Sequence, residues 1–273
     1  MPELPEVETV KSGLEKQILG KTIKAIWFSD KNMRMPFTRE LKTIPLKQQI
    51  SGLARRSKYI LIQLKGHLIV IHLGMSGSIR FGEKEHKKIE AHDHFVMEFT
   101  DGLKMIFNDP RRFGLVVVIK NGELKSHKLF KNLGIEPLTK EFNGKYLKGI
   151  FKNKKIAIKQ AVMDASNLVG VGNIYAAESL FKSSINPQKS ANEISESKLE
   201  ELSKNIKIVL KEAIRSGGST LRDYVRSDGD IGYFQHQFKV YGREKQPCFV
   251  CGTEIKKITQ SGRSTYYCPK CQK

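Results

Sequence analysis

The residues best suited to covalent chemistry stand at the start of the chain, in Met1-Pro2-Glu3-Leu4-Pro5-Glu6-Val7-Glu8-Thr9. A small residue after Met1 favours removal of the initiator, which would leave Pro2 with a free secondary amine. An α-amino group titrates at about pH 7.7–8.0, against about 10.4 for lysine, so roughly a tenth of it is unprotonated and nucleophilic at neutral pH. Condensed with an aldehyde carbon, a secondary amine gives an iminium with no N–H proton to lose, a lasting electron sink. Glu3 beside it is a candidate general acid or base. The same residues also read as an ordinary helix start, with early proline and first-turn acids that suit the macrodipole. Leu4, Val7, Val10, Leu14 and Ile18 form a helical stripe ending near Gly20. The two readings are compatible.

The other end carries metal chemistry. Cys248-x-x-Cys251 and Cys268-x-x-Cys271 are separated by sixteen residues, the spacing of a tetrahedral all-cysteine zinc site. These four are all the cysteines of the chain and fall in its last 26 residues, so they form a local device. A cytoplasmic setting disfavours disulfides, and two matched knuckles disfavour a redox pair. With four protein ligands one structural zinc has no open position, so its work is to hold the hairpin between the knuckles. That hairpin carries Arg263 within Ser261-Gly262-Arg263-Ser264-Thr265, a loop-tip composition. Such an arginine can reach a phosphate or an active site, or it can simply be solvated.

Several glycine-marked turns lie between the two ends. Gly170-Val171-Gly172-Asn173 opens a helix whose backbone N–H groups could hold a phosphate, with Lys154, Lys155 and Lys159 just upstream. It could equally be a tight helix connection. His72-Leu73-Gly74-Met75-Ser76-Gly77 places Met75 on a glycine loop, and Asp109-Pro110-Arg111-Arg112-Phe113-Gly114 is a turn with two arginines and an aromatic. An apolar side chain, an aromatic and an arginine on loops are the tools for opening a base stack, and ordinary loop packing is the alternative. Lys58, in Arg55-Arg56-Ser57-Lys58-Tyr59, reads as a phosphate contact or part of a site.

The elements that must position these residues divide the chain in two. After the first helix come short apolar runs at 22–28, 59–64, 67–73, 95–99, 103–107 and 115–119, with Lys65-Gly66 and Asp101-Gly102 at tight connections. They predict an antiparallel β-sandwich over residues 1–134 with the first helix packed on it. Residues 135–150 are expected to hold the linker. Helical periodicity is found near 144–152, 156–164, 174–183 and 195–216, with Ser195 as N-cap and Gly217-Gly218 as the stop. The boundaries expected are 151–233 for the helical domain and 234–273 for the zinc finger. The glycine-bearing stretch 216–233 reads as a mobile lid.

The 273 residues are long enough for two domains. The formal net charge is +20, with 27 basic against 16 acidic residues in 1–150 and 21 against 12 in 151–273. An excess in both halves fits a polyanion lying across both. No apolar run is long enough for a membrane span, and the acidic, proline-rich start is unlike a secretory signal, so a soluble cytoplasmic chain is expected.

The start MPELPEVET, then RRSKY, HLGMSGS, DPRRFG, VGVGNIYAAESLF, GGSTLRDY, VYGR and the paired CxxC knuckles occur in this order over nearly the whole chain. Together they closely resemble the bacterial formamidopyrimidine-DNA glycosylase family, 8-oxoguanine DNA glycosylases that are also AP lyases. The resemblance implies an α+β multidomain fold: an N-terminal β-sandwich with a leading helix, a helix–two-turn–helix region and a zinc finger. It implies that Pro2 attacks C1′ of the damaged nucleotide, Glu3 opens the sugar ring, Lys58 assists β-elimination and Arg263 assists δ-elimination. Met75 would fill the hole left by the extruded base, Arg111 address the orphaned partner, and Phe113 wedge the stack. His92, Lys154 and Asn173 match positions that bind the DNA backbone, and Glu6 an acidic position near the lesion. The implied partner is damaged double-stranded DNA lying across the two domains, bound by a monomer near the nucleoid.

The nearest rival is the sister family acting on oxidised pyrimidines, against which PELPE and the Met75, Arg111, Phe113 set argue. The other rival is a non-catalytic zinc-containing DNA-binding module. Because metal binding and folding are one event in a small zinc domain, Cys248→Ala or verified chelation is expected to free the hairpin and abolish tight DNA binding. Unchanged affinity in a gel-shift titration after metal loss would show the hairpin to be dispensable.

Overall fold

The computed structural model describes residues 2–82, 89–219 and 237–273. The expected lid lies outside the described residues from position 220 onward, and so does Met1. The chain forms two compact units, Met1–Lys131 with Gly217–Tyr233, and Asn132–Ser216 with Phe234–Lys273.

In the first unit helix α1 spans Leu4–Ile18. Its stripe of Leu4, Val7, Val10, Leu14 and Ile18 is at most 3% exposed, so the helical period seen in the sequence is the face that enters the core. Eight strands come next: β1 (Ile23–Phe28), β2 (Gly52–Arg56), β3 (Tyr59–Gln63), β4 (His67–His72), β5 (Ser78–Gly82), β6 (Asp93–Phe99), β7 (Lys104–Asn108) and β8 (Leu115–Lys120). They make two four-stranded antiparallel sheets, ordered β1-β6-β7-β5 and β2-β3-β4-β8. Both sheets and α1 contribute to one core, with Ile60, Ile62, Ile69, Ile71, Phe95 and Phe107 at its centre. The expected sandwich is therefore present. The two strands that the sequence does not announce, β2 and β5, are sheet edges. Each carries arginine on a half-buried face, so neither shows an apolar run.

After the long connection from β1 to β2, the chain crosses between the sheets twice more, in neighbouring places. Residues 73–77 run from β4 to β5, and residues 109–114 run from β7 to β8. His72 pairs with Leu115 in one sheet and Ser78 with Asn108 in the other. Both crossings thus begin and end at paired residues and must lie side by side.

The second unit holds α2 (Gly144–Phe151), α3 (Ile158–Met163), α4 (Asn173–Lys182) and α5 (Glu196–Arg215), and the hairpin of β9 (Lys256–Gln260) and β10 (Arg263–Tyr267). The stretch 135–150, expected as a linker, is part of this unit's core. Phe142, Leu147 and Phe151 are fully buried, and α2 packs on α5. Ser195 caps α5 by accepting the Lys198 N–H at 3.3 Å. The segment leading to the knuckles is tied to α4 through Glu178. The Glu178 carboxylate, 5% exposed, accepts the backbone N–H groups of Lys239, Val240 and Tyr241 at 2.8–3.0 Å. Ala177 and Phe181 of the same helix bury Val240, Cys248, Ile255 and Cys268. Among the described residues no helix is long and apolar enough to cross a membrane.

Two measurements test this framework. Removing Glu178 leaves three backbone donors without their acceptor, one buried and two part-buried, a lost buried partner costing about 1–3 kcal/mol. Glu178→Ala is therefore expected to lower stability by about 3 kcal/mol and to weaken zinc retention, read by thermal unfolding and metal analysis. His72 gives a pH test. Burial, and then the nearby charges of Arg34 and Lys58, push its pKa down to about 3. The unfolded chain takes up the proton that the folded one refuses. Stability from this site is thus complete above the ordinary value of 6.5 and is lost as pH falls below it, by up to about 1.4 kcal/mol per unit. His72→Gln should flatten that part of a stability–pH curve.

Candidate active site and nucleic-acid interface

Pro2 and Glu3 lie just before and at the N-cap of α1, and both are buried. Glu3 and Glu6 form a reciprocal capping box, in which Glu6 Oε2 accepts the Glu3 N–H at 2.8 Å. The second oxygen of Glu6 accepts the N–H and the hydroxyl of Ser219 at 2.8 and 2.9 Å. Glu6 therefore locks the head of α1 to the chain more than two hundred residues later. Gly218 makes this approach possible. Its φ is +79°, and a Cβ there would lie 3.1 Å from Glu6 Oε1 and 3.4 Å from Glu6 Cα. The resemblance places Glu6 near the site and includes Ser219 in GGSTLRDY, but nothing in the sequence pairs the two.

Lys58 is half-buried in the two-residue turn between β2 and β3, after Ser57, whose φ is +57°. Arg55 fixes that turn. Its Nε donates to Glu8 of α1 at 2.8 Å and its Nη1 to the Ser57 carbonyl at 2.8 Å. The helix that carries Pro2 and Glu3 is thereby fastened to the hairpin that carries Lys58, and α1 packs on both β2 and β3. The His72 ring on β4 lies 4.9 Å from that of Tyr59, the residue after Lys58, tilted by 53°. It is neutral at physiological pH, and its Nδ1 accepts the Gly74 N–H at 2.9 Å, so Nε2 carries the proton.

The residues expected to open the stack sit on the two crossings. Met75 is 39% and Phe113 47% exposed, unusual for large apolar side chains, and Arg111 lies over the Phe113 ring at 5.1 Å. The backbones of the two loops touch. Gly74 has φ +66°, and a Cβ there would sit 2.5 Å from Gly114 N and Phe113 C. His92 is exposed beside them, before β6. Its neighbour Asp93 is anchored by the Arg80 fork at 2.6 and 2.8 Å, by Asn108 and by the Glu90 N–H. Burial works to raise the Asp93 pKa, but these donors outweigh it and the carboxyl lies below its ordinary range.

In the second unit, Lys154 donates to Asn167 Oδ1 at 2.7 Å and lies 3.5 Å from Asp164. Asn173, the first residue of α4, is a clamp on the zinc hairpin. Its Nδ2 donates to the Ser264 carbonyl at 2.9 Å, and its Oδ1 accepts from Lys159 at 2.5 Å. In the sequence Lys159 reads only as a flanking cation. It is 1% exposed and also donates to Thr265 Oγ1 at 2.6 Å and the Ser264 carbonyl at 3.2 Å. A lysine beside Ile158, Ala161 and Val162 on a buried helix face is the available signal. Gln160 donates to the Ser261 hydroxyl at the hairpin tip. Arg263, the first residue of β10, is exposed on this braced tip.

The four cysteine Sγ atoms lie within 4.8 Å of one another, with Cys248–Cys271 at 3.9 Å and Cys251–Cys268 at 3.5 Å. A tetrahedron with Zn–S of about 2.3 Å has edges of about 3.8 Å, so the set fits one zinc ion. The N–H groups of Val250 and Cys271 donate to the Cys248 and Cys268 sulfurs at 3.4 Å, the turn of each knuckle. All four positions come from protein, and the ion they hold is a structural cross-link.

Comparison with known proteins agrees with this arrangement. Residues 1–116 match the formamidopyrimidine-DNA glycosylase N-terminal domain, 133–225 the formamidopyrimidine-DNA glycosylase H2TH domain, and 245–273 the zinc finger found in FPG and IleRS. The chain is 45% identical over 273 residues to the formamidopyrimidine-DNA glycosylase of Wolbachia pipientis wMel, with all of both chains covered. It is 44% identical over 291 aligned residues to that of Bartonella quintana (strain Toulouse), again covering both completely. A Lactococcus lactis FPG mutant complexed with a Fapy-dG containing DNA superposes with a TM-score of 0.92 at 35% identity, over 100% of both chains. The same species' Fpg with an abasic site containing DNA gives 0.91 at 34%, over 99% of both. With three family domains in order and full-length relatives at this identity, the chain belongs to the formamidopyrimidine-DNA glycosylase family.

Proposed function

We propose that the chain excises oxidised and ring-opened purines from duplex DNA and then cuts the strand, with the secondary amine of Pro2 as nucleophile. As a member of its family it is a DNA glycosylase of base-excision repair that carries a structural zinc. The residue roles are our reading. The observation that carries it is the construction of the α1 head. Pro2 and Glu3 are buried together there, and Glu6 holds the Glu3 N–H with one oxygen and Ser219 with the other. A nucleophile and its acid are useful only when held in place.

A base inside a duplex does not offer its C1′ to a buried amine, so the nucleotide rotates out, at a cost of a few kcal/mol. Met75, Arg111 and Phe113 enter the vacated stack and offset part of that cost. With Met1 removed, the Pro2 nitrogen attacks C1′ as the bond to the base breaks; the base leaves with the bonding pair and takes up the proton that the amine loses. Glu3 gives its proton to the ring oxygen and the sugar opens, leaving an iminium between Pro2 and C1′. The iminium acidifies C2′. Loss of that proton expels the 3′ phosphate, assisted by Lys58, and a second elimination assisted by Arg263 expels the 5′ phosphate. Water then releases the sugar remnant from Pro2. The excess of basic residues in both halves supports grip on the phosphates, with His92, Lys154 and Asn173 the positions assigned to it. We propose further that a monomer is the active form.

Borohydride reduces an iminium to a stable amine, so the intermediate can be trapped on lesion-bearing duplex. The mature protein should cross-link to DNA containing 8-oxoguanine. Pro2→Gly should lose excision and trapping by about a hundredfold or more while its DNA affinity changes less than about threefold. Normal turnover by that variant would remove the nucleophile assignment.

A further inference from the structure

Three loops carry the side chains that would enter or grip DNA from the first unit, and all three meet at one buried acid. Asp109 is fully buried. Its Oδ1 accepts the Ser76 hydroxyl at 2.6 Å, on the loop of Met75. Its Oδ2 accepts the Gly114 N–H at 2.8 Å, closing the loop of Arg111 and Phe113. Its own N–H donates to the His92 carbonyl at 2.9 Å, and its carbonyl accepts the Arg112 N–H at 3.1 Å. Ser76 Oγ accepts in turn the Arg111 N–H at 3.2 Å, so the serine bridges the two crossings directly. The registers of the two sheets bring these loops together, and the contact of Gly74 with Gly114 leaves no space for them to slide.

We infer that Asp109, acting through Ser76, is a positioning residue that makes Met75, Arg111 and Phe113 a single preassembled wedge. This rests on the reading of those three as the residues that replace the extruded nucleotide. A latch of this kind acts on the step in which the base leaves the stack. Without it Met75 must be ordered separately from Phe113 while DNA is being deformed, so the opening slows. Encounter with undamaged phosphates does not need it.

Ser76→Ala removes the bridge at a half-buried position without emptying the core. The full-length, zinc-loaded protein would be tested on duplex containing 8-oxoguanine with 2-aminopurine beside the lesion. Stopped-flow fluorescence reads opening of the stack, and single-turnover gels read excision. Ser76→Ala should slow both about tenfold, the size of one lost hydrogen bond to a carboxylate. Duplex affinity should stay within about threefold, the melting temperature should fall by no more than about 5 °C, and Ser76→Thr should restore the rate. In a Met75→Ala background the same substitution should cost less than about twofold, because the latch has nothing left to aim.

If Met75→Ala slows opening but Ser76→Ala does not, the latch is wrong and the wedge survives. Full, additive losses from the two substitutions would likewise overturn the latch. If Met75→Ala leaves opening unchanged, the wedge reading itself falls, and the latch with it. Asp109→Asn provides a second variant, expected to resemble Ser76→Ala.

Discussion

The interaction on which this architecture depends is a buried carboxylate accepting backbone N–H groups from a segment distant in sequence or from a loop. Glu6 does this for Glu3 and Ser219, Asp109 for Gly114, and Glu178 for residues 239–241. Glu200, whose side chain is partly exposed, makes the same kind of bond at the surface, accepting the Gly144 N–H at the start of α2 at 2.7 Å. Loops and helix starts have unpaired donors that no sheet or helix satisfies. An ionised oxygen satisfies them with stronger bonds than a carbonyl offers. For Glu178 burial nevertheless pushes the pKa up, against the three N–H groups that favour the charge. The acid is held between opposing effects of desolvation and hydrogen bonding.

This use of acids bears on the charge of the molecule. The sequence has 28 acidic against 48 basic residues, and several of the acids are consumed internally. Carboxylates facing inward cannot repel phosphate at the surface with full effect, while Met75, Phe113, His92 and Arg263 are left outward on braced loops. The same residues thus serve stability and DNA recognition. Buried acids fix the loops, and the cations left outside suit a polyanionic partner.

What is legible in the sequence is what is local. The cysteine spacing, the α1 stripe, the glycine turns and the strands of the sheet interiors depend on residues within a few positions of each other. The edges β2 and β5 are illegible because their arginines break the apolar alternation. Lys159, Asp109 and Glu178 are illegible for a deeper reason. A charged residue is expected on the surface, and only a partner far along the chain explains its burial. Lys159 meets Thr265 and Glu178 meets Val240, across 106 and 62 positions. Nothing near Glu178 announces that three donors will converge on it. The expectation of a linker at 135–150 fails similarly, since Phe142 and Leu147 become core only against α5.

A rigid support has a particular value for an enzyme that must deform its substrate. Unstacking a nucleotide costs a few kcal/mol, and each side chain ordered during that step adds about 0.5–1.5 kcal/mol to the barrier. On the roles proposed for Met75, Arg111 and Phe113, loops braced in advance by the fold lower that addition. Their ordering was already counted when the sandwich formed, against the burial of its core. The zinc hairpin obeys the same logic by different means. Lys159, Asn173 and Gln160 hold its strand and tip from α3 and α4, while the metal holds its base. Arg263 is thus presented from a support fixed at both ends. In both units, cross-links from buried charge and metal give exposed loops the stiffness that a surface position would otherwise lack.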